Sequence, residues 1–250
     1  MRRNLRAYSC EFTGTALMLF IGVSAVAFMW APASPVPAIA SGALRRLVTG
    51  VMFAGGATAV VYSPLGQISG GHINPAVTLA FWRMGKVPAR DAAAYVVAQF
   101  LGAVAGAYAA GAAWGVLTTS VQYAATVPGA GYSAAGAFAA EAFITFLLVF
   151  TIFVCVNKPR VAPRTGLIAG TLVALLVMIE APVTGTSINP ARTLGPAVVG
   201  GIWAGHWLYW AAPVLGAVLG MRLYDALRTP AAPATASIPT GTEGPIGSSA

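Results

Sequence analysis

Residues 68–80 read ISGGHINPAVTLA and residues 183–195 read VTGTSINPARTLG, and the two align without a gap at seven of thirteen positions. The shared residues are Gly, Ile, Asn, Pro, Ala, Thr and Leu. A second set of matches lies upstream of each segment, where Glu11, Thr15, Leu17 and Phe20 recur as Glu141, Thr145, Leu147 and Phe150. The chain is a duplicated half, so what one copy builds the other should build too.

The solvent of this chain is read from its composition. Of 250 residues, 58% are hydrophobic and 8% charged, against roughly 25% charged in a soluble domain. Six stretches approach the ~20 apolar residues that a spanning helix needs: 8–30, 44–63, 91–114, 134–156, 165–183 and 204–224. The first follows MRRNLR and could be mistaken for a signal peptide, but its apolar run exceeds the ~7–15 residues of a signal core, and a retained helix is expected. Three spans separate Glu11 from Glu141. That number is odd, so the second copy enters the membrane from the opposite face. Inverted repeats place a functional site near the midplane and often build it from broken helices.

The two NPA segments are the candidates for that site. Asn is a favoured helix N-cap and Pro fits the first helical position, so Asn74-Pro75-Ala76 and Asn189-Pro190-Ala191 are helix starts. The apolar runs that follow, AVTLAFW and ARTLGPAVVG, hold about seven to ten residues and at ~1.5 Å each cover half a bilayer core. Two such half-helices would meet tip to tip, each tip carrying about half a positive charge, which is hostile to cations. Gly-rich backbone before them is tolerated at that depth only beside a water-filled cavity. Arg192 stands three residues after Asn189, on the same helical face, where it would be a fixed charge and hydrogen-bond donor at a constriction. The alternative is an arginine that snorkels to the outer headgroups.

Charge follows topology rather than a nucleic-acid partner. Net charge is +8, and with the N-terminus cytoplasmic, eleven of the fourteen Lys and Arg fall inside and only Arg45 and Arg46 outside, Arg192 set apart. This is the positive-inside bias, and it places both termini in the cytoplasm. Cys10 and Cys155 then lie near cytoplasmic helix ends, where no disulfide is expected. No metal or other cofactor is expected either. Residues 229–250, rich in Pro, Ala, Ser, Thr and Gly without periodicity, read as a disordered tail.

The paired motifs SGGHINPAVTLAFW and TGTSINPARTLGP, in an inverted six-span duplication, resemble the aquaporin or major intrinsic protein family over about residues 8–226. The resemblance implies an all-α membrane protein of six transmembrane helices and two re-entrant half-helices. The channel domain would be 1–228, with repeats at about 8–117 and 134–226. It also implies a pore in each subunit of a homotetramer in the cell membrane, with lipid around it and water or small neutral solutes inside. Asn74 and Asn189 would donate to the permeating molecule. His72 would line the pore on the cytoplasmic side, or else cap loop carbonyls, and Glu11 and Glu141 would hold the re-entrant loops. His206 would be an interface or surface residue.

The same resemblance locates a four-residue constriction, which by counting from the two asparagines falls at Ala54, Val177, Thr186 and Arg192. A shift of one across VVYSPLGQ would put Phe53 in the place of Ala54. Water-specific members carry Phe and His at the first two positions, so Ala54 and Val177 suggest a wider, less polar opening. Thr193, Ala197 and the Tyr209-Trp210 pair resemble the water-type branch. The expectation is a passive channel for water that also admits glycerol, urea, ammonia or boric acid and excludes protons and ions, with a channel mainly for small uncharged solutes as the alternative. Glu180 reads as a solvated rim carboxylate, or as a partner of a loop donor or of Arg192.

A secondary transporter is the rival of another class, since it too uses inverted repeats. It would need coupling carboxylates near the midplane, and the few acids here have other places. An enzyme is not expected, because His72 and His206 stand far apart and form no metal or nucleophile arrangement. Gly102, Gly106, Gly216 and Gly220 have the small-xxx-small spacing of close helix packing.

Overall fold

The computed structural model describes residues 2–228, and the tail expected at 229–250 lies outside the described residues. Ten α-helices follow in chain order: α1 Arg2–Trp30, α2 Gly42–Tyr62, α3 Pro64–Ser69, α4 Pro75–Arg83, α5 Ala89–Trp114, α6 Val116–Ser120, α7 Ala134–Val156, α8 Thr165–Thr184, α9 Pro190–Gly200 and α10 Leu208–Leu227. Six are long and two, α4 and α9, are the half-helices expected from the NPA segments.

Five of the long helices are apolar and long enough to cross a bilayer. α10 is the exception. The sixth span was expected at 204–224, but the helix begins at Leu208 and carries Arg222 and Asp225 in its last turns. Its place in the bundle is still that of a spanning helix, because α10 packs along α7 as α5 packs along α1. The helix α3 was not anticipated. Its signal is local: the Ser63 hydroxyl accepts from the Leu65 N–H at 3.2 Å, Pro64 takes the first helical position, and Gly70 closes the helix with φ 92°.

The inverted repeat is visible in the packing. A Cβ added to Gly106 would lie 2.1 Å from the Ala16 carbonyl oxygen, and one added to Gly216 would lie 2.1 Å from that of Ala142. Gly102 and Gly220 meet Phe12 and Phe146 in the same way. Backbones approach this closely only where one helix has no side chain. The two seams, α1 with α5 and α7 with α10, are the frame against which the two re-entrant segments lie.

Candidate functional site: a lumen between opposed half-helices

Each half-helix begins on an asparagine whose two side-chain functions are divided. Asn74 Oδ1 accepts the Ala76 N–H at 2.9 Å and Asn189 Oδ1 accepts that of Ala191 at 2.9 Å, capping α4 and α9. Each amide nitrogen then crosses to the other repeat. Asn74 Nδ2 donates to the Ile188 carbonyl and Asn189 Nδ2 to the Ile73 carbonyl, both at 2.9 Å. A primary amide has two N–H donors. One from each asparagine therefore ties the two tips together, and the second is left for another acceptor.

The loops before these tips bend through left-handed backbone, with φ 41° at Ile73 and 51° at Ile188. Two fully buried carboxylates hold them. Glu11 accepts the N–H groups of His72 and Ile73 at 3.0 and 2.7 Å, the Ser69 hydroxyl at 2.6 Å and the Gln99 amide at 2.7 Å. Glu141 accepts the N–H groups of Ser187 and Ile188 at 2.7 and 2.9 Å and the Thr184 hydroxyl at 2.6 Å. Tyr95 and Tyr209 complete the symmetry by donating to the Ser69 and Thr184 carbonyls, each at 2.7 Å. Strained backbone persists only where its surroundings over-determine it, and these bonds supply that.

A cavity of about 860 Å³ runs beside the tips and is lined by both asparagines. It touches α2 from Arg46 to Tyr62, a stretch of ~24 Å at ~1.5 Å per residue, so it runs lengthwise through most of the bundle. Ala54, Val177, Thr186, Arg192 and His72 all line it, and so does Phe53. Arg46 and Arg192 are its charged lining side chains, and among the described residues no carboxylate faces it. A second cavity of about 770 Å³ meets His72 and Phe81 from the end where Arg6, Lys86 and Asn157 gather.

Arg192 is buried, with 7% of its surface exposed, and does not reach headgroups as a snorkelling arginine would. Its Nη1 donates to the Ala124 carbonyl at 2.7 Å, and its guanidinium lies 5.0 Å from the centre of the Phe53 ring. The gapless count to Ala54 and its one-residue alternative thus both land on lumen residues. Ala54 is the buried one of the pair, whereas Phe53 packs its ring against Gly22 of α1. The His72 ring bonds to the Thr78 hydroxyl at 3.1 Å and stands 4.8 Å from the Phe81 ring.

Glu180 corrects one expectation. It is not a solvated rim carboxylate: only 7% of it is exposed, and it accepts the Thr186 hydroxyl at 2.7 Å and contacts that of Thr184 at 2.5 Å. One turn before the loop, it is placed where loop hydroxyls can reach back to it. Other members of the site were missed in the sequence because they come from the connection between the repeats. The Ala124 carbonyl holds Arg192, and the Thr126 hydroxyl lies 2.6 Å from that of Thr193, which in turn lies 2.6 Å from that of Ser187.

Six long helices in an inverted repeat, with two half-helices meeting beside one lengthwise lumen, define a passive membrane channel for water and small solutes. The Major intrinsic protein family model matches residues 1–224. Aquaporin-4 of Mus musculus is 36% identical over 229 residues, covering 90% of this chain and 68% of the mouse protein. Aquaporin Z of Rhodopseudomonas palustris is 36% identical over 235 residues, covering 90% and 94%. The fold is also that of the aquaglyceroporin from Plasmodium falciparum, with a TM-score of 0.75 at 23% identity over 90% of this chain and 96% of that one. The chain belongs to the major intrinsic protein family, whose members are channels.

Proposed function

We propose that the lumen conducts water and small neutral solutes while rejecting protons and other ions. The observation that carries this reading is the reciprocal bond between the two tips, Asn74 to Ile188 and Asn189 to Ile73. It sets the positive ends of two half-helices together beside the lumen, and a cation there meets both dipoles and finds no lining carboxylate among the described residues. The remaining N–H donor of each asparagine is available to the oxygen of a passing molecule. A water that accepts from both keeps its hydrogens turned outward, and a continuous proton wire is interrupted.

Selectivity is assigned to Ala54, Val177, Thr186 and Arg192, with Phe53 beside them, and His72 to the inner stretch of the lumen. Two of the four are small and apolar, which favours passage of solutes wider than water. The names of the relatives support water as a permeant. The positive-inside bias supports cytoplasmic termini and a place in the cell membrane, and the family resemblance supports a homotetramer. Chemical cross-linking in native membranes tests the assembly.

Stopped-flow light scattering on proteoliposomes tests the function. Vesicles bearing the protein are expected to shrink faster than bare lipid and to admit glycerol or urea without a sodium or proton gradient. Arg192→Val is expected to raise solute passage and proton leak. If it changes neither, the constriction is assigned to the wrong residues.

A further inference from the structure

The connection between α6 and α7 belongs to neither repeat, yet Val121, Ala124 and Ala125 line the lumen. It enters through three consecutive non-glycine residues in left-handed backbone, with φ 52° at Gln122, 53° at Tyr123 and 60° at Ala124. Left-handed backbone crowds the Cβ of any L-residue against the next carbonyl. A run of three needs an external hold.

Two fastenings are present. The Tyr123 ring sits where α5 and α9 both lack a side chain: a Cβ on Gly111 would lie 2.8 Å from its Cε1, and a Cβ on Gly200 would lie 3.1 Å from its Cδ2. Three residues on, the Thr126 hydroxyl meets Thr193 of α9 at 2.6 Å. Between these fastenings lies Ala124, whose carbonyl accepts from Arg192 Nη1 at 2.7 Å. The guanidinium is thus held from one side by a carbonyl that its own repeat does not supply.

We propose that Tyr123 is a positioning residue for selectivity. Its ring, wedged between Gly111 and Gly200, holds the left-handed turn in place, and through the Ala124 carbonyl fixes the pose of Arg192 in the lumen. The proposal rests on the constriction reading given above. The contacts are made by ring carbons, so the hydroxyl is not required. Without the wedge the turn relaxes, the Ala124 carbonyl withdraws, and the arginine loses a charge-assisted bond of the stronger kind.

The test compares urea and water permeability and proton leak in proteoliposomes for five single variants and one double. Tyr123→Phe is expected to match the parent protein. Tyr123→Ala, and Gly111→Ala, which pushes the ring from the α5 side, are expected to raise the urea-to-water ratio roughly tenfold or more, the scale of one lost hydrogen bond to a charged group. Adding Tyr123→Ala to Arg192→Val should change nothing further, as for two residues acting through one interaction. Should Tyr123→Ala not assemble, Tyr123→Leu and Gly111→Ala carry the same comparison. Unchanged ratios in the Tyr123 and Gly111 variants, beside a changed one in Arg192→Val, overturn the positioning role and leave the constriction standing. An unchanged ratio in Arg192→Val overturns both.

Discussion

The Thr186 hydroxyl donates to Glu180 Oε2 at 2.7 Å, so a carboxylate that does not line the lumen controls a side chain that does. Thr184 stands between Glu180 and Glu141, its hydroxyl 2.5 Å from one and 2.6 Å from the other. One hydroxyl has one hydrogen. Both short contacts are hydrogen bonds only if a further hydrogen sits on a carboxyl.

That count makes Glu180→Gln the informative substitution. The amide can donate to Thr184 and accept from Thr186, and glycerol and water permeability are expected to stay within about twofold of the parent protein. Glu180→Leu frees the Thr186 hydroxyl to the lumen and is expected to shift the glycerol-to-water ratio by up to about fivefold, the equivalent of one hydrogen bond of ~1 kcal/mol. Equal ratios in the two variants would show that Glu180 does not govern Thr186. Light scattering on proteoliposomes reads both.

Glu141 is expected to matter more to the loop than to permeation itself. Glu141→Ala strips the acceptor from the buried Ser187 and Ile188 N–H groups, whereas the Thr184 hydroxyl can still donate to Glu180. Each orphaned donor costs about 1–3 kcal/mol, so thermal unfolding in detergent should drop sharply and water flux with it. Glu141→Gln keeps one oxygen acceptor and should fall between. An alanine variant as stable as the parent protein would remove the clamp from this account.

The glycine seams can be tested against an internal control. Gly106→Ala and Gly216→Ala place a methyl carbon 2.1 Å from a backbone carbonyl and are expected to cost about 1–3 kcal/mol or more by overpacking. Gly55, also helical, has nothing within 4 Å of its added Cβ. Gly55→Ala should be neutral or stabilise by up to about 1 kcal/mol. Detergent melting curves that rank the three otherwise would contradict the close approach.

His206 gives a pH dependence. Its ring lies 4.8 Å from Trp203 and 6.0 Å from Trp210, its Nε2 is buried without a partner among the described residues, and burial pulls its pKa below the ordinary histidine value. The folded state therefore binds this proton less readily than the unfolded state. The stability that follows is full above the unfolded value, near 6.5, and is lost as pH falls through the lowered folded one. Between about pH 7.5 and pH 5 the melting temperature should fall less in His206→Gln than in the parent protein. Parallel curves would mean that His206 does not titrate on unfolding.

Much of the site was legible because its residues recur. Asn74 and Asn189, Glu11 and Glu141, and the glycine pairs each appear twice in the same order along the chain, and each does in one repeat what its counterpart does in the other. What recurs only once was harder to place. Glu180 has no counterpart carboxylate in the first repeat, and while Thr184 lies one turn further along α8, Thr186 comes into reach only through the bend of the loop. The helix α3 was written locally in Ser63-Pro64, a start signal overshadowed by the longer apolar runs on either side.

Sequence by itself determined the membrane solvent, the inverted duplication, the two half-helices and the residues that cap them. These follow from composition, periodicity and capping chemistry, which act over a few residues at a time. The tertiary structure alone decided that the Ala124 carbonyl would hold Arg192, that Phe53 would lie beneath its guanidinium, and that Glu180 would be buried among hydroxyls. Those contacts join segments 6 to 139 positions apart, and the longer of them exist only once separate helices and the connection between the repeats are packed together.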